Sequence, residues 1–152
     1  MVDAQLTFDV DTQGAATQVT LHQNGRDIVA KRMNDAYIQR AAEEFAAIAK
    51  RFKDQTQSPG TEAALRRNIE ELQRGEANYD QVSPRLADIT RQQLPQLKST
   101  MAQLGAPPSM TFTSAGPGGA DIYQVKFDDD TMEWRIMLGT DGKAVSIGFR
   151  PI

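Results

Sequence analysis

The chain has 152 residues, 39% of them hydrophobic and 24% charged, which suits one domain or one domain with a small appendage. Its 17 basic and 20 acidic residues give a net charge of −3, which argues against a nucleic-acid surface. It has no cysteine, so disulfides, thiolate nucleophiles and cysteine zinc sites are excluded, and the compartment is left open.

A chain of this length buries roughly two thirds of its unfolded surface. Mean hydropathy is −0.50. No apolar run approaches the about 20 residues that a membrane helix needs. Met1-Val2-Asp3-Ala4 lacks the basic and apolar regions of a secretory signal, so none is expected in this chain.

Residues 5–32 read as a small β-meander. Leu6, Phe8 and Val10 alternate with polar residues, and Asp11-Thr12-Gln13-Gly14 is a turn. Asn24-Gly25 is a strong hairpin signal, because a type I′ turn needs positive φ at both central residues. A two-residue loop then sets Gln23 opposite Arg26, His22 opposite Asp27, Leu21 opposite Ile28 and Val19 opposite Ala30. The apolar pairs fall on one face.

Asn34 is a good N-cap for a helix whose Ile38, Ala41, Phe45, Ile48 and Phe52 form one apolar stripe. Residues 55–60 are a polar loop and the expected boundary. Thr61 is the expected cap of a second helix, with Leu65, Ile69 and Leu72 inward and Gly75 just past its end. Ser83-Pro84 starts a third helix. Pro95 removes a hydrogen bond inside it, so a kink or break is expected there. Leu94, Leu97, Met101 and Leu104 continue a stripe that Gly105 ends, and Pro107-Pro108 forces an extended entry into a C-terminal sheet.

Across residues 105–151, four short alternating runs are separated by dense turn signals, the pattern of an antiparallel sheet. Helices first and sheet last make an α+β domain. Met132, Trp134, Ile136 and Leu138 share one face, which places Trp134 in the core. Tyr123, Val125 and Phe127 share a face of the preceding strand, with Gln124 and Lys126 opposite.

Most chemical constellations fail on context. Gly116-Pro117-Gly118-Gly119 leads into a strand rather than a helix and lacks a following Lys-Ser/Thr, so it reads as a hairpin loop. Asp128-Asp129-Asp130 lacks the spacing of a calcium loop and reads as a solvated turn. His22, the single histidine, reads as a surface partner of Asp27. No Ser-x-x-Lys or Gly-x-Ser-x-Gly occurs. No catalytic residue, metal site or cofactor is expected. The ligand-binding candidates are Tyr123, Lys126, Glu133, Arg135 and Arg150, where a carboxylate among cations on a sheet face would hold an anion or move a proton; the other reading is a water-facing sheet face with charge pairs.

Two stretches carry a resemblance. Residues 16–33 resemble the closing hairpin of the β-rich accessory domain that follows the catalytic domain in bacterial β-lactamase-related serine hydrolases, the penicillin-binding-protein-like esterases and peptidases. Residues 69–151 resemble a further module of some of these proteins. They do so through Glu71-Leu72-Gln73, Asn78-Tyr79-Asp80, Ser83-Pro84, Leu104-Gly105 and Gly119-Ala120-Asp121-Ile122-Tyr123. Glu133-Trp134-Arg135, Asp141-Gly142-Lys143 and Phe149-Arg150-Pro151 complete it.

The resemblance implies a cystatin-like, nuclear-transport-factor-like module over residues 61–152. It also implies that residues 1–54 are the remnant of an accessory β domain, and that the whole is non-catalytic, extracytoplasmic and partnered by a serine hydrolase catalytic domain. The meander lacks the preceding strands of these relatives. Three short strands leave unpaired edges, so a homodimer is expected, with the helix stripe covering one sheet face and the loop at 55–60 permitting exchange.

An interaction module and a small ligand binder or isomerase/dehydratase-like enzyme are both compatible with this fold. The enzyme would need Asp121, Tyr123 or Glu133 in an enclosed pocket.

Overall fold

The computed structural model describes residues 4–105 and 109–152. The expected extended entry at Pro107-Pro108 and the N-terminal Met1-Val2-Asp3 lie outside them. The chain is α+β, with a three-stranded and a four-stranded antiparallel sheet. It divides into two compact units, Met1–Phe45 and Ala46–Ile152.

The first unit holds β1 (Ala4–Val10), β2 (Ala16–Gln23), β3 (Arg26–Lys31) and the start of α1 (Asp35–Asp54). The two central residues of the β2–β3 turn have φ of 53° at Asn24 and 71° at Gly25, as a type I′ turn demands. The register follows from that turn: His22 opposes Asp27, Leu21 opposes Ile28, and Val19 opposes Ala30. On the other side of β2, Leu6 opposes Leu21 and Phe8 opposes Val19, so all these apolar side chains share one face. The Asn34 side chain accepts from the Tyr37 backbone N–H at 2.8 Å and caps α1.

The helix does not cover the sheet as the sequence leads one to expect. Phe8 stays 58% exposed, and on α1 Phe45 stays 71% exposed. Stripe and sheet face are both apolar, but neither closes on the other within the unit.

The second unit holds α2 (Thr61–Arg74), α3 (Pro84–Gln103), β4 (Ser109–Ala115), β5 (Asp121–Lys126), β6 (Thr131–Leu138) and β7 (Ala144–Pro151). The strands pair in chain order. Leu65, Ile69 and Leu72 of α2 and Met101 of α3 are buried with Tyr123, Val125, Met132, Trp134 and Ile136 of the sheet. The spacings of 3, 4 and 2 in the sequence thus converge on one core. Tyr123 pairs with Trp134, and Trp134 pairs with Phe149 and stacks on it at 4.5 Å.

Three local features bear on these expectations. α3 runs through Pro95 without a break; Arg91 and Pro95 both lie on its exposed side, where water can satisfy the freed carbonyl. Gly60 caps α2 in the left-handed conformation, and Thr61 is its first residue, its hydroxyl turned to other partners. The loop at 55–60 is hydrogen-bonded to the C-terminal sheet: Gln55 accepts from the Ala115 N–H at 3.0 Å, and the Ser58 N–H donates to Asp121 at 2.7 Å. The two compact units divide within α1.

The glycine loop is a hairpin turn, closed by Gly116 N–H to the Ala120 carbonyl at 2.8 Å. Gly119 has φ of 90°, and a Cβ there would stand 3.2 Å from Ile48. The positive φ favours glycine, and a Cβ would also press on the Ile48 side chain. The Asp128–Asp130 segment is likewise a turn, with the Phe127 N–H donating to the Asp130 carbonyl at 2.8 Å. Among the described residues no helix is long and apolar enough to cross a membrane.

Candidate functional site

The register of β5 and β6 separates the sequence-predicted site residues into two groups. Asp121, Tyr123 and Val125 point to the helices, and all are fully buried. Glu133 pairs with Gln124 and Arg150, so these lie on the opposite face. Tyr123 therefore does not join Lys126, Glu133, Arg135 and Arg150: alternate residues of a strand face opposite ways. Lys126 shares the outer face but pairs with Thr131 rather than Glu133.

On the outer face, Glu133 is the hub. Arg150 grips it from both sides, Nε to Oε1 and Nη2 to Oε2, each at 3.0 Å. Arg135 adds two bonds to Oε1 at 2.9 and 2.8 Å. The hydrogen bonds from Arg150, then those from Arg135, hold the Glu133 carboxyl below the usual carboxylate range. The same carboxylate pushes Arg150 further up. Both partners favour the charged pair, so Glu133 is an acceptor already occupied and a poor proton carrier. Its contribution to stability is complete above the ordinary carboxylate range and is lost as pH falls through its own lower value. In Arg150→Ala the Glu133 titration followed by carbon NMR is expected to move back up toward the ordinary range. An unchanged titration would contradict the fork.

On the inner face, Asp121 anchors the loop at 55–60. Oδ1 takes a charged hydrogen bond from Arg51 Nη2 of α1. Oδ2 accepts the Ser58 N–H at 2.7 Å and the Thr61 hydroxyl at 2.6 Å. Thr61 has one proton to give. With the carboxylate taking it, Thr61 accepts from the Tyr123 hydroxyl at 2.7 Å, and Tyr123 accepts from the Gln57 amide at 2.8 Å. The directions run one way, so each bond polarises the next. Burial pushes the Tyr123 hydroxyl up, and the Asp121 charge adds to this, against the opposing pull of its hydrogen bonds to Thr61 and Gln57. Tyr123 is thus a neutral donor, and Asp121 is saturated.

Sequence reasoning missed Arg51, Gln57 and Thr61 as partners. One signal was present: Asp121 stands in phase with Tyr123 and Val125, and a carboxylate in a buried phase requires a cation and donors.

A cavity of about 370 Å³ lies between the helices and the sheet. It is lined by α2 and α3 on one side and by Trp134, Ile147 and Phe149 of β6 and β7 on the other. Asp121, Tyr123 and Glu133 do not line it. His22 sits in the first unit, with Nδ1 2.7 Å from Asp27 and Nε2 2.9 Å from Thr7, a partly exposed cross-strand set. Among the described residues no group of three or more His, Cys, Asp or Glu side chains is placed to hold a metal ion.

Compared with known proteins, the chain matches no family model, no curated protein and no solved structure.

Proposed function

We propose that the chain is a non-catalytic interaction module, of the accessory kind that accompanies β-lactamase-related serine hydrolases, and that it docks through the apolar face of β1–β3. The observation that carries this reading is the uncovered face itself. Leu6, Phe8, Val10 and Ile28 share it and are 58–61% exposed. Such contiguous apolar surface is rare on a solitary chain and marks docking.

The occupant is a second copy. The chain carries its own complement, since Ile38 and Phe45 of α1 are also exposed, and an apolar helix stripe on an apolar sheet face is ordinary layer packing. Reciprocal exchange of helix for sheet across a two-fold axis covers both surfaces at once. The saturated state of Asp121 and Glu133 supports the non-catalytic part, as does the lack of a Ser-x-x-Lys.

Sedimentation at micromolar concentration is expected to give twice 16.8 kDa. Phe8→Lys with Phe45→Lys is expected to give a monomer that retains its far-ultraviolet circular dichroism. A wild-type monomer would overturn self-docking, and that is also the outcome if a hydrolase domain takes the face instead. Turnover of β-lactam or short-chain ester substrates, or an acyl-enzyme by mass spectrometry, would overturn the non-catalytic part.

A further inference from the structure

We propose that the cavity between α2, α3 and the β6–β7 face is a binding site for a compact, uncharged small molecule with an apolar body and a hydrogen-bond acceptor. This site goes beyond the docking role and does not rest on it, because every lining residue belongs to the second unit.

A volume of about 370 Å³ falls within the roughly 300–1,000 Å³ of small-molecule sites. The apolar part of the lining includes Leu72, Leu86, Leu97, Ile147 and Phe149, and its polar part consists of the amides of Asn68, Gln93 and Gln96 with the hydroxyls of Thr90 and Thr100. No lining residue is ionisable. A charged ligand would lose its hydration there and meet no countercharge, whereas a neutral one meets apolar walls and a few orienting amides.

Another observation is independent of the cavity's shape. Trp134 forms part of the lining, and its Nε1 is buried without a hydrogen-bond partner. It is the only such side-chain nitrogen or oxygen among the described residues. Buried indole N–H groups ordinarily find an acceptor, and leaving one unpaired is costly. A chain that satisfies its other buried polar side chains leaves one donor unmet, on a residue of its cavity wall. The nitrogen itself is sealed from water, so a ligand carbonyl supplies the missing partner where binding turns the indole toward the cavity.

Camphor, a neutral ketone with a compact apolar body, is a suitable probe, and camphor-10-sulfonate is its anionic counterpart. The chain has one tryptophan, so its indole N–H gives one unambiguous proton–nitrogen NMR cross-peak. Camphor is expected to shift that peak saturably, and the sulfonate is not. Thr90→Phe, which fills the cavity from α3, is expected to abolish the shift with the fold retained by circular dichroism. Trp134→Phe keeps an aromatic ring and removes the donor, so ligand-observed NMR is expected to show roughly five- to tenfold weaker camphor binding. The proposal is overturned by the absence of a saturable shift up to the solubility of camphor, by equal binding of the sulfonate, or by undiminished binding in both variants. None of these results bears on the sedimentation of the chain, so the two readings fail separately.

Discussion

Trp134→Ala is expected to lower the free energy of unfolding by about 3–5 kcal/mol, the usual cost of deleting a large buried aromatic. Trp134 is fully buried at the centre of the sheet, flanked in register by Tyr123 and Phe149. Alanine would remove the stacking on Phe149 and enlarge an existing cavity rather than let the site collapse. The unpartnered indole N–H moderates this loss, because deleting an unsatisfied donor returns part of its desolvation cost. Trp134→Phe is therefore expected to cost much less than alanine does. Urea denaturation followed by far-ultraviolet circular dichroism measures both. A wild-type midpoint for the alanine variant would contradict the burial of Trp134.

Asp121→Asn is expected to cost about 3 kcal/mol, at the lower end for breaking a buried ion pair because the Arg51 side chain is 24% exposed. Every group facing Asp121 is a donor: Arg51, the Ser58 N–H and the Thr61 hydroxyl. An asparagine amide turns one of its two acceptor atoms into a donor, so whichever way it is placed it opposes one of them. The loop at 55–60 and the first turn of α2 should loosen together. In a chain of this size the loss corresponds to a fall in melting temperature of roughly 6–12 °C. The exposed pair Lys50–Asp54 on the same helix provides the contrast: Asp54→Asn is expected to cost about 0.5 kcal/mol or less. Equal melting temperatures for the two variants would show that the Asp121 network carries no special weight.

Much of the local structure was legible in residue types. Asn24-Gly25 specified its turn and, through a two-residue loop, the whole β2–β3 register. Alternation placed Trp134, Met132 and Ile136 inward, and Ser83-Pro84 started α3. Alternation also set Tyr123 on the face opposite Lys126, yet grouping it with Lys126, Glu133 and Arg150 ignored that phase. Pro95 does not break α3 because its freed carbonyl lies on the exposed side of the helix. Thr61 misled because Gly60 takes the cap position, and the Thr61 hydroxyl, one residue inside α2, donates to Asp121 instead of accepting from the helix's free N–H groups.

What the sequence by itself determined are the features set within a few residues: turn conformation, strand phase, helix starts and the α+β order. Only the tertiary structure decided that Arg51 would meet Asp121 seventy positions along the chain, and that Thr61 and Gln57 would complete its network with Tyr123. It alone left the apolar faces of β1–β3 and α1 uncovered and Trp134 without an acceptor. The reason is physical. Dihedral preferences and side-chain phase act over one or two turns of chain, whereas covering a surface or pairing a buried charge depends on which distant segment arrives there.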